Sequence, residues 1–468
     1  MALPKIYLWD GIVISIMRRF NTDMQGEVGY SLKKSSFFGW AVLFGIFMGV
    51  SSVQSAIYHV AMEGEDFLSC QKGTNPHTPR RSIEGSLRCL SAGDTLYVHS
   101  GTYAEGILSW ETPFDNGESW DRPITVATYP GDTVIITPPA GTAFFWIKEN
   151  SDKYLIIDGF IVDCRHIAWH GFKLHGGVSR VRIINTEVRN AKFSGVLVTV
   201  SSARGAKSPG YHEFINMKVH HSGESTQDHG FYIETGHNLI EHSEIYSNSG
   251  WGIHNFRSSN NFAHHNTYRH NLVYRNGLKG WACGIMLSSG YENVAYNNNV
   301  YENPTGLCTL YRSTNNRFYN NLVYQNFTNG IFVGGGKENI DTGIYHNTVY
   351  GNRVYGIFIE KGVSNVFVKN NIIFQNARRN LVLGEEGQNE ARVSHNLQED
   401  PSFINSTEKD FHLNPSSRAI DKGVAVSGMT FDCDGIERPQ GKLPDIGAYE
   451  FQNPKPAQDA HSEKLQKS

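Results

Sequence analysis

Asn271-Leu272-Val273-Tyr274-Arg275-Asn276 is a phrase that returns, with small changes, at Asn298 to Asn303, Asn321 to Asn326, Asn347 to Asn352 and Asn371 to Asn376. Each copy leads into a Gly-apolar-x-apolar stretch, with Asn380 standing for Gly in the last. The central apolar residues carry the repeat toward the N-terminus, as Val162, Val188, Val219, Ile245, Val273, Val300, Val323, Val349 and Ile373, in steps of 23 to 31 residues. Steps of that size mark a solenoid, because no single repeat can bury its apolar face and stacked repeats share one core. Each period holds short β-rich runs between Gly, Asn and Ser and no helical stripe. The expected fold is therefore all-β, a parallel β-helix whose coils stack about 4.8 Å apart. The Asn residues are expected to tolerate left-handed turns and to bond to the coils above and below.

This pattern resembles the right-handed parallel β-helix proteins of the pectin-lyase-like superfamily over roughly residues 57 to 451. Ser91-Ala92-Gly93-Asp94-Thr95-Leu96-Tyr97-Val98, followed by Gly101-Thr102-Tyr103, is similar to the opening segment of many secreted β-helix proteins. Ser82 to Leu90 is expected to form a short amphipathic helix over the open end of the first coil. At the other end, Asp400-Pro401-Ser402-Phe403, Asp410-Phe411-His412-Leu413, Ala419-Ile420-Asp421-Lys422-Gly423 and Pro444-Asp445-Ile446-Gly447-Ala448-Tyr449-Glu450 resemble the choice-of-anchor Q segment that closes such helices. The closely spaced Asp set of the superfamily's polygalacturonases is absent, as is the Asp-Pro-His-Asp signature of its mannuronan epimerases. The resemblance therefore implies a fold rather than one reaction.

With 468 residues, a net charge of -3 and 19% charged residues, the chain has neither the basic stripe of a nucleic-acid binder nor a strongly acidic face. Polysaccharide remains as a partner. Lys33-Lys34 precedes an apolar run from Phe37 to Val50, and Val53-Gln54-Ser55 supplies a cleavage pattern. That run of 14 residues falls short of the roughly 20 that span a membrane. The expectation is a secreted or cell-envelope monomer with no stable membrane span once the leader is cut. Its segments are residues 1–55 (leader), 56–135 (N-terminal cap and first coils), 136–396 (β-helix repeats), 397–451 (C-terminal capping segment) and 452–468 (disordered tail). Of six cysteines, Cys70 and Cys89 bracket the cap helix and are expected to pair. Cys283 and Cys308 occupy different places in their coils and are not expected to.

Aligning the coils on their Gly-apolar-x-apolar strands turns the sequence into surface columns, since alternate side chains point outward. The outward third position reads Lys173, Leu197, Tyr232, His254, Met286, Cys308, Phe332, Phe358 and Val382. The fifth reads His175, Thr199, Glu234, Phe256, Ser288, Leu310, Gly334, Glu360 and Gly384. Polar and titratable groups gather in the N-terminal half, where Trp169, His170, Asp228, His229, Trp251 and Arg257 flank the same strands. Two longer loops border this face, Ser201 to Gly210 with Arg204 and Lys207, and Arg257 to Arg269 with His264 and His265.

A lyase or epimerase acting on a uronate must remove the proton beside the carboxylate, so it needs a base and a positive group to meet the developing charge. His229, His254 and Lys173 are the candidate bases, with Arg257, Tyr232 or a calcium ion held by Asp228 and Glu234 completing the site. Trp169, Trp251, His170 and His175 are expected to bind the sugar. A glycoside hydrolase would need two suitably spaced carboxyl groups, for which Asp228 and Glu234 are the candidates. The leading expectation is a carbohydrate-active lyase or epimerase of an acidic polysaccharide. The alternative is a non-catalytic surface or matrix protein that binds polysaccharide or serves as structure.

Overall fold

The computed structural model describes residues 55–200, 209–257, 263–384 and 391–452. The leader ahead of Ser55, the loop residues Arg204 and Lys207, and the tail beyond residue 452 lie outside them. Each coil passes in turn through three parallel sheets. The first stacks 13 strands from Ile57–Val60 to Arg392–Ser394. The second stacks 11 from Gly101–Tyr103 to Ile372–Phe374, and the third 11 from Ile107–Leu108 to Arg379–Leu383.

In the second sheet Val162, Val188, Val219, Ile245, Val273, Val300, Val323, Val349 and Ile373 form one unbroken row of direct partners. All nine are fully buried. Each contributes roughly 1.5–3 kcal/mol of burial. The corner into the third sheet is set by close approach rather than by unusual dihedrals. A Cβ on Gly252 would lie 2.6 Å from the carbonyl oxygen of Gly284 on the next coil, so this corner excludes a side chain.

The asparagines form buried ladders. The backbone N–H and the Nδ2 of Asn298 both donate to Oδ1 of Asn321 at 3.0 Å, and Nδ2 also reaches the carbonyl of Tyr268 at 2.9 Å. Asn321 repeats the pattern onto Asn347, and Asn347 onto Asn371. The expectation that these residues take the left-handed conformation is corrected. That conformation falls on the residue before each one, as at His270, Arg275, Asn297 and Glu302, whose φ values are 51 to 54°. The strained position faces outward, where many side chains fit, while the buried position requires a side chain that both donates and accepts.

At the N-terminal end Ile83–Leu87 forms the expected short helix, with Ser82 Oγ accepting from Gly85 N. Ile83, Leu87 and Leu90 are buried against Tyr58 and Val60 of the first coil. Cys70 and Cys89 are bonded, as the sequence suggested. Cys283 and Cys308 are also bonded, against expectation, with Cα atoms 6.2 Å apart. Cys283 pairs in register with Thr305, three residues before Cys308. Straight strands would hold two such residues about 11 Å apart. The observed 6.2 Å therefore means that the strands bend between these positions, which column counting along straight strands does not see.

Residues 397–451 lie along the flank of the second sheet. Phe411 packs on Tyr324 and Tyr350. Asn320 donates to the carbonyl of Phe431 at 2.8 Å and Asn370 to that of Val424 at 2.7 Å. A buried Arg438–Glu450 ion pair ties the segment internally. Asp432 caps a local turn by accepting from the N–H groups of Asp434 and Ile436. No helix of the described residues is long and apolar enough to cross a membrane.

Candidate functional site

The outward columns of the third sheet hold in register. Lys173, Leu197, Tyr232, His254, Met286, Cys308, Phe332, Phe358 and Val382 are successive direct partners. The column also extends backward from Lys173 to Trp146 and Leu108. In the next outward position Lys148, His175 and Thr199 are partners. Glu234 continues that line, with Thr199 Oγ1 donating to its carboxylate.

The N-terminal part of this face is an aromatic strip with basic groups along it. Ring centroids of Trp110 and Trp146 are 5.3 Å apart, those of Trp146 and Trp169 5.8 Å, and those of Trp169 and Phe193 5.9 Å. Lys173 Nζ sits 3.8 Å over the Trp146 ring. Burial, and then Lys148, lower the Lys173 pKa. His175 is lowered by burial, then by Lys173 and Lys148, so its imidazole is neutral at pH 7. Trp146 was missed by the sequence reading because Phe144 stands where the later coils have their leading glycine, and Trp110 because it lies beyond the two-residue strand Ile107–Leu108. The alternation of Phe145-Trp146-Ile147-Lys148, buried at Phe145 and Ile147, was the available signal.

His170 stands apart from its neighbours on this strand. It is enclosed, donates from Nδ1 to the carbonyl of Ser194 at 2.8 Å, and is pushed down to about 4 by burial. It serves the corner between coils rather than the open face.

The middle of the face brings together Tyr232, Glu234, Arg257, His229, His254 and Trp251. Arg257 Nη1 lies 2.9 Å from Glu234 Oε2, with both side chains largely buried. The Tyr232 hydroxyl bonds to Glu234, and burial together with that carboxylate raises the phenol pKa. Tyr232 therefore stays protonated at neutral pH. Its ring stacks on His254 at 4.9 Å, and Trp251 stacks on His254 at 4.7 Å.

The two histidines share a fixed tautomer. The Trp251 amide donates to His229 Nδ1 at 3.3 Å, so His229 carries its proton on Nε2. That Nε2–H donates to His254 Nδ1 at 2.8 Å, which places the His254 proton on its own Nε2. Burial lowers His254 to about 3 and holds His229 well below the ordinary range. Both rings are neutral, and the lone pairs in this chain are already used. As arranged, the pair can donate a hydrogen bond but offers no free base.

Asp228 and Glu234 do not fit a shared calcium ion. Asp228 Oδ2 accepts from Glu224 N, Ser225 N and Ser225 Oγ, closing a turn. Glu234 Oε2 accepts from Val200 N at 3.3 Å and from Arg257 at 2.9 Å. Calcium needs six to eight oxygen ligands. Here an arginine cation already stands where the ion would approach Glu234. Beyond His254 the face becomes apolar, with Met286, the Cys283–Cys308 bond and Leu310 buried beside Trp251, and Phe332 stacked on Phe358.

A family profile described as the right handed beta helix region matches residues 170–343. No curated protein matches the chain. Among solved structures it is similar to pectate lyase Pel9A, at 16% identity over 86% of this chain and 98% of that one, with a TM-score of 0.56. It is also similar to XylC in complex with xylose, at 12% identity over 85% of this chain and 98% of that one, with a TM-score of 0.55. At these identities the likeness is one of fold.

Proposed function

We propose that this right-handed β-helix protein is exported and acts on an acidic polysaccharide as a lyase or epimerase, through the outward face of its third sheet. One observation carries the reading: a gap in both outward columns. Leu197 and Thr199 stand between Lys173 and His175 on one coil and Tyr232 and Glu234 on the coil two steps away. Two coil spacings are about 9.6 Å, which admits one sugar ring with a hydrogen-bonding group at either side. The Trp110, Trp146 and Trp169 strip leads into that gap as a platform for neighbouring sugars. The fold is shared with a pectate lyase.

In this reading Lys148 and Lys173 meet the uronate carboxylate, where charge grows as the C5 proton leaves. Neutral His175 takes that proton. The base thus differs from His229 and His254, whose lone pairs are occupied, and these two instead hold Tyr232 in place by stacking. In elimination the C4–O bond breaks, a C4=C5 double bond forms, and the leaving oxygen takes the Tyr232 proton. In epimerisation Tyr232 returns a proton to C5 from the opposite side.

Quenching of tryptophan fluorescence tests the substrate class. Polygalacturonate or alginate is expected to quench, neutral dextran is not, and Lys148→Met with Lys173→Met is expected to remove the response. Equal quenching by charged and neutral polymers would contradict the reading. A non-catalytic binding role is favoured by one feature, the mutual satisfaction of Glu234, Arg257 and Tyr232. It predicts the same quenching with no change in the polymer.

A further inference from the structure

We infer that His237, His264 and His265 form a binding site for a divalent transition metal such as zinc, at the turn that carries the chain from the third sheet back to the first. Among the described residues this trio is the group whose ligand atoms converge, all within 4.8 Å of one another. Its placement follows from the solenoid. His237, His265 and Glu292 take the same left-handed conformation, with φ of 58, 54 and 57°. Each donates its backbone N–H to a carbonyl one coil on, His237 to His264, His265 to Tyr291 and Glu292 to Thr314. They occupy one position on three successive coils, and His264 stands beside the middle one.

Neighbouring groups hold the three rings in place. The His265 ring stacks on that of His237 at 4.8 Å, and His264 stacks on Tyr291 at 4.7 Å. Glu292 holds His265 Nε2 at 2.5 Å. With that nitrogen protonated toward the carboxylate, His265 Nδ1 presents a lone pair, and it points at His264 Nδ1 from 2.9 Å. A carboxylate on the far nitrogen of an imidazole is the arrangement that orients histidine ligands on metals. Nitrogen donors on a tetrahedral ion at 2.0–2.1 Å lie about 3.3–3.4 Å apart, so closure asks for at most about 1.4 Å of approach within the trio and for His264 Nδ1 and His265 Nδ1, now 2.9 Å apart, to separate by about 0.4 Å. All-nitrogen donors favour zinc, nickel or copper over calcium. A metal here would clamp two adjacent coils at this turn.

The test is a titration of the full chain, free of any histidine tag, with Zn²⁺ followed by calorimetry and by Tm. One equivalent should bind with a rise in Tm, since the ion favours the folded state. His237→Ala and His264→Ala should abolish both effects, and Glu292→Gln should weaken binding about 10- to 100-fold. His77→Ala should change neither. Tm without metal confirms that each variant folds, and His264→Gln serves if the alanine variant does not. Absence of binding, or a Tm rise that survives in His237→Ala and His264→Ala, overturns the inference.

Discussion

His229 Nε2 and His254 Nδ1 lie 2.8 Å apart across adjacent coils, with the Trp251 amide on the remaining nitrogen of His229. The result is a neutral, buried imidazole pair beneath the open face. Its first consequence is a pH dependence of stability. His254 has a folded pKa near 3 against about 6.5 unfolded, so between these values the unfolded chain binds more protons. Stability from this group is present above pH 6.5 and lost as pH falls, by about 2 kcal/mol at pH 5. His170, at about 4, acts in the same direction. Tm should fall between pH 7.5 and pH 5, and His254→Phe should flatten the slope. A flat Tm in the parent protein would contradict the neutral pair.

Asn321 tests the ladder. Its Oδ1 accepts from the backbone N–H and the Nδ2 of Asn298, and its own Nδ2 reaches the carbonyl of Ala295. Asn321→Ala leaves buried donors without a partner and should cost about 2–4 kcal/mol by urea unfolding. Asn297→Gly, at the left-handed position one coil before it, should change stability by less than about 1 kcal/mol.

The Cys283–Cys308 bond closes 25 residues of sequence separation and should contribute about 3–4 kcal/mol through loop closure. Non-reducing peptide mapping should recover it together with Cys70–Cys89. Cys283→Ser should lower Tm, and an unchanged Tm would show that the bond does not form.

Tyr232→Phe separates chemistry from folding. The ring keeps its stacking on His254, so stability should change by less than about 1 kcal/mol. Loss of the proton donor should reduce turnover by about 10²- to 10⁴-fold, read as the rate of product formation at saturating polymer.

The repeat was legible because its chemistry is local. Val162 through Ile373 and Lys173 through Val382 could be placed in register from spacing alone, since each coil brings equivalent residues to one row. Contacts that cross columns were not legible. The meeting of Cys283 with Cys308 depends on the path of the strands through the corner, which no residue count contains. The tautomer of His229 depends on the Trp251 amide of a neighbouring coil. Trp146 and Lys148 were hidden because Ala143-Phe144 replaces the glycine that announces the later strands. The histidines at 264 and 265 were visible as loop residues, but their meeting with His237 follows from the stacking of one turn upon the next.

In the proposed reaction the face from Lys173 to Tyr232 removes the C5 proton of a uronate. Proton NMR of polygalacturonate and alginate incubated with the protein in D₂O reads that step directly, whether elimination or epimerisation follows. Loss of the C5 proton signal is expected, with unsaturated ends or C5 deuteration appearing, and neither in His175→Ala. A polymer that binds yet keeps its C5 protons would contradict it.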